Sequence, residues 1–192
     1  LIQEGSVECR FSFVKIVMKR NSIIGILDTG WFGCDYVARE DTTVITIPCK
    51  NAQDLSNILA KNENFRPAFL RTAIEQRQQA LCLYVDLYRK VRLLHAKAEE
   101  FYNDYKNRCS QLLVDEQPFA RMECFEALNL QHRAEEWEVR NSDSLVKNYL
   151  REYMQLMIKD DNLCVGAIME ASAQMHRVTL GIGEMVNYML RN

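Results

Sequence analysis

The residues of this chain that could carry chemistry are few. Asp28 stands in Ile26-Leu27-Asp28-Thr29-Gly30, a carboxylate on a turn sequence behind two apolar residues, and a carboxylate held in that way can act as a general acid or base. Metal donors are limited to three histidines, His95, His132 and His176, and seven cysteines. No C-x-x-C, H-x-x-x-H or H-E-x-x-H occurs among them, so no pair has the spacing of metal ligands. A Cys–His nucleophile pair has no better support, because so many cysteines always permit some pairing. Gly181-Ile182-Gly183-Glu184 lacks the preceding strand that a phosphate-cradling loop requires. The stretch from Tyr84 to Arg92 mixes tyrosines with Arg89, Lys90 and Arg92, as surfaces that stack nucleic-acid bases do. Its tyrosines fall on an apolar seam, however, which leaves the three cations as a solvated helix face. The expectation is no catalytic residue, no cofactor, no metal and no nucleic acid.

Two apolar residues followed by Asp28-Thr29-Gly30 resemble the active-site turn of the aspartic proteases. That resemblance implies two such aspartates, one from each half of an all-β body or one from each subunit of a dimer. In single-motif, retroviral-like members it also implies several further strands and an apolar-apolar-Gly element. Here Trp31 stands where a small residue belongs, and the β-pattern stops near Pro48. Asp28 is read as a hairpin-turn residue, since Asp and Gly are what turns select.

The dominant pattern lies elsewhere. From Leu70 the positions Leu70, Ile74, Arg77, Leu81, Tyr84, Tyr88, Val91, His95, Ala98, Tyr102, Tyr105, Cys109 and Leu112 advance in alternating steps of four and three. Such spacing holds side chains on one face of a helix, and its sustained 3.5-residue average keeps that face against a partner helix. Arg77 and His95 are the polar interruptions. Each is flanked by apolar neighbours, so Arg77 is expected to meet a carboxylate and His95 to be hydrogen-bonded or to lie where the seam opens.

The surrounding sequence supplies the elements that must position this seam. The composition, 48% hydrophobic and 26% charged with a net charge of −2, is that of a globular chain. It does not suit a general nucleic-acid binder. Residues 66–113 carry nine Lys/Arg against five Asp/Glu, whereas 114–192 carry eight against thirteen, which suggests self-complementarity between the long helix and the helices folded on it. No apolar run is long enough to span a membrane. Odd cysteine number and irregular spacing fit reduced thiols in a cytoplasmic setting, the nucleus included. A start at Leu1 without methionine reads as a piece of a longer protein.

The fold class expected is mainly α: a small N-terminal β-element of three to four short strands, then an antiparallel helical bundle or coiled coil built on one very long helix. Residues 1–50 read as the β-rich element, with Val7–Met18, Ile23–Leu27, Trp31–Val37 and Thr43–Ile47 as strands. Residues 51–63 read as a short helix or linker and 64–192 as the bundle. Its helices are expected at about 65–113, 119–140, 143–159 and 162–190. Asn64, with Pro67 in the first turn, is the expected cap of the long helix. Gly181 and Gly183 mark a kink or a close helix crossing.

These readings point to a non-catalytic helical scaffold for protein–protein assembly, with a homodimer through the long helix as one form. The alternative is a regulatory or docking module of a multidomain enzyme, such as a kinase or ubiquitin-system protein, whose catalytic part lies outside this chain. The expected interaction residues are Arg77, Leu81, Tyr84, Tyr88, Val91, His95 and Tyr102.

Overall fold

The computed structural model describes residues 1–11, 13–25, 34–117, 128, 130, 152 and 154–192. Five strands open the chain: β1 (Ile2–Glu4), β2 (Ser6–Phe11), β3 (Val14–Lys19), β4 (Asp35–Ala38) and β5 (Thr43–Val44). They form two antiparallel sheets, β3-β2-β4 and β1-β5. The run Val7–Met18, expected as one strand, is a hairpin in which Phe11 pairs with Val14 and Ser6 with Lys19. The reason is visible in the side chains. Buried residues occupy odd positions in β2 (Val7, Cys9, Phe11) and even positions in β3 (Val14, Ile16, Met18). One continuous strand cannot change face in that way.

β1 escaped the sequence reading, and Gly5 explains its place. Gly5 has φ +82°, and a Cβ there would come within 2.5 Å of Asp41 O and Thr42 Oγ1, so glycine lets β1 and β2 pass close to the segment before β5. Ile23 and Ile24 lie outside any strand. Asp28 and its turn fall outside the described residues.

Helix α1 (Ala52–Lys61) is capped by Asn51, whose side chain accepts from Asp54 N at 2.8 Å. Helix α2 (Phe65–Leu112) runs 48 residues, about 72 Å. Its expected cap, Asn64, makes no side-chain cap hydrogen bond and is itself helical. A tight turn does the work instead: Phe65 N and Arg66 N donate to Asn62 O and Glu63 O at 2.9 and 3.1 Å. At the far end Leu113 is left-handed, φ 52°, and its N–H and that of Val114 donate back to Ser110 O and Cys109 O. Gln117 N then donates to the Tyr105 hydroxyl at 2.7 Å, so the chain doubles back on α2.

Helix α3 (Asp161–Arg191) begins at Asp160, whose carboxylate accepts from Leu163 N at 3.0 Å. The helices expected at 119–140 and 143–159 fall largely outside the described residues; 154–159 are helical. Helices α2 and α3 pack along much of their length. Arg66 lies by Cys164, Arg77 by Gln174, Tyr84 by Gly181 and His95 by Tyr188. The two numbers rise together, so these two helices run parallel, within the mainly helical fold with a small β-element that the sequence implied. Leu113 thus lies at the far end of α2, while Ile158 and Lys159, just before α3, lie beside Arg66 at its start.

One contiguous core joins β1–β3, α1, α2 and α3. The β-element leans on α2: Ile23 N donates to Thr72 Oγ1 at 3.2 Å and Arg71 Nη2 to Asn21 O at 3.4 Å.

Candidate interaction site

The start of α2 is fixed by Arg66, only 5% exposed. Its Nε donates to Leu59 O at 3.1 Å, and its Nη1 to Ile158 O and Lys159 O at 3.3 and 3.4 Å. These carbonyls close the last turns of α1 and of 154–159, groups that have no partner within their own helices. Glu63 and Asp161 lie 3.9 and 4.0 Å from Nη2 and balance the charge. Sequence reasoning missed this residue, because an arginine in the first turn of a helix reads as solvated.

Along the seam, Leu81, Tyr84, Tyr88 and Val91 are buried between α2 and α3 of the same chain. Tyr84 and Tyr88 stack at 6.4 Å between centroids. The Tyr84 ring lies against Gly181, where a Cβ would approach Cε2 to 2.5 Å. Gly181 is thus a close helix crossing, while Gly183 faces open space.

The polar interruptions are accommodated by neighbours from α3. Arg77 Nη1 donates to Gln174 Oε1 at 3.0 Å, and Gln174 Nε2 donates to Glu170 Oε1 at 2.8 Å. The expected carboxylate is present, but an amide relays the contact. Burial pulls the pKa of Arg77 down, and Glu170 opposes the shift. His95 Nδ1 and the Tyr188 hydroxyl share a hydrogen bond at 2.9 Å, with the rings edge to face. Tyr188 is fully buried and His95 half-buried, so the seam opens toward solvent at this point.

Tyr188 lies one turn from the end of α3, so α2 continues for about four turns beyond its partner. Tyr102, the last expected interaction residue, lies on this extension, half-buried under Lys106 Nζ at 5.7 Å from its ring centroid. A second apolar line runs along α2 into this extension. Leu87, Leu94 and Phe101 recur every seven residues, and Leu94 is 49% and Phe101 74% exposed. Leu93 and Leu112 are exposed beside them. The seven-residue recurrence was available in the sequence, in the shadow of the stronger seam.

Among the described residues no group of three or more His, Cys, Asp or Glu could hold a metal ion, and no helix is long and apolar enough to cross a membrane. Comparison with known protein families, with curated proteins and with solved structures finds no match to this chain.

Proposed function

We propose that this chain is a non-catalytic helical scaffold whose partners are other proteins, a second copy of itself first among them. The observation that carries the reading is the exposed line Leu94–Phe101 on α2, which begins beside the last turns of α3 and runs past its end. An apolar line of this kind on a rigid rod marks an interface more often than an idle surface. A symmetric pair could bury it with the same residues from both chains. The described cysteines carry no disulfide, which supports a reducing, cytoplasmic setting.

The test is sedimentation velocity of the full chain from micromolar to hundreds of micromolar, beside the double variant Leu94→Glu/Phe101→Glu. Mass is expected to grow with concentration in the parent and to stay monomeric in the variant, with equal melting temperatures. A parent mass fixed at 22.4 kDa throughout would remove the second copy, and with it this use of the exposed line.

A further inference from the structure

We propose that Cys9 and Cys34 form a thiol-modification site, which a low-molecular-weight disulfide such as oxidised glutathione closes into an intramolecular disulfide. The placement follows from the β2–β4 register. Tyr36 is opposite Cys9 and Asp35 opposite Arg10; one step further sets Cys34 beside Phe11. Residues 9 and 11 share a face of the sheet, so Cys34 is the diagonal neighbour of Cys9 on that face. Cys34 itself precedes β4 and lies outside the ladder, and closing the link requires its backbone to bring the two Cβ atoms to disulfide geometry. Its Sγ donates to the adjacent carbonyl of Asp35 at 3.7 Å.

The two thiols are unequal. Cys9 is fully buried and Cys34 half-buried, so an outside reagent meets Cys34 first. Burial, and then the neighbouring Cys34 with which it hydrogen-bonds, push the Cys9 thiol up to about 12. At neutral pH Cys9 is a poor target for direct attack and a partner only for a sulfur brought to it. Cys49, Cys82, Cys109 and Cys164 lie on other segments.

The exchange balances without a metal or a further reductant. The Cys34 thiolate attacks one sulfur of oxidised glutathione, the glutathione S–S bond breaks, and one glutathione leaves carrying the Cys34 proton. Cys9 then gives up its proton and attacks the Cys34 sulfur, and the second glutathione leaves with that proton. Two protein thiols are oxidised, and one glutathione disulfide is reduced to two thiols.

The test is a peptide map. The full chain is incubated with oxidised glutathione, alkylated and digested with trypsin without reduction. The expected product is Leu1–Arg10 linked to Asn21–Arg39, with an intact mass lower by two hydrogens. The melting temperature should rise by several degrees, because the link constrains the unfolded chain. Cys34→Ser should leave Cys9 unmodified, and Cys9→Ala should stop at the Cys34–glutathione adduct. Parent protein that also stops at that adduct would overturn the proposal, as would links to Cys49 or Cys82. Should Cys9→Ala fail to fold, the parent map decides alone.

Discussion

The two halves of α2 share one heptad pattern and have different surroundings. From Arg66 to Val91 the helix buries Phe69, Leu70, Thr72, Ala73, Gln76, Ala80, Leu81, Tyr84, Tyr88 and Val91 between the β-element and α3. Beyond Val91, Cys109 alone is fully buried among the described residues of α2. The difference teaches that periodicity states which side chains share a face, while burial depends on what arrives to cover it. The near half is core by virtue of α3. The far half keeps the pattern after α3 has ended.

The largest expected effect breaks the near half. Leu70→Ala removes a fully buried side chain and should cost about 3 kcal/mol in urea unfolding, against less than about 1 kcal/mol for Leu94→Ala. Equal losses would mean that both halves are equally packed and would erase the contrast.

Two arginines, Arg66 buried and Arg77 half-buried, sharpen it next. Arg66→Met strands the carbonyls of Leu59, Ile158 and Lys159 and should cost about 2–3 kcal/mol. Arg77 has a buried Nε without a hydrogen-bond partner among the described residues. Arg77→Leu should therefore be neutral or stabilising by up to about 1 kcal/mol, since an incompletely paired buried charge gives way readily to an apolar side chain. The same denaturation series measures both, and a large loss for Arg77→Leu would show that the Gln174–Glu170 relay holds the seam.

The glycines of α3 give a smaller pair of opposite sign. Gly181→Ala pushes a methyl into the Tyr84 ring and should lower stability by about 1–2 kcal/mol despite better helix propensity. Gly183→Ala meets nothing and should raise it by about 0.5–1 kcal/mol. Thermal melts that moved in the same direction would place α3 differently on α2. The smallest change is expected at the far end, where Leu113 holds φ 52°. Leu113→Gly removes that strain and should add about 0.5–1 kcal/mol, seen as a modest rise in melting temperature.

The helical class, the extent of α2 and the start of α3 were legible because long amphipathic patterns announce themselves. The relative direction of the two helices was not, because an apolar stripe reads the same from either end. The β2–β3 hairpin was hidden by the want of a turn signal, although the change of parity between Phe11 and Val14 held the information. Of the expected interaction residues, those from Arg77 to Val91 sit in the internal seam, His95 at its mouth and Tyr102 beyond it. Arg66 and the line through Leu94 and Phe101 went unseen, the first because a lone arginine carries no pattern, the second because a richer pattern overlapped it.

The parallel pairing of α2 with α3 has a consequence for how the protein is made. Partners across the seam, such as Arg77 and Gln174 or Tyr84 and Gly181, stand nearly a hundred residues apart in the chain. Non-local contacts of this kind slow folding, because the loop must close before they form. On the ribosome, at about 5–20 residues per second, the seam of α2 waits on the order of 5–20 s for its mate. During that interval Leu70, Tyr84 and Val91 are the exposed surface of a nascent rod, open to whatever holds unfinished chains apart.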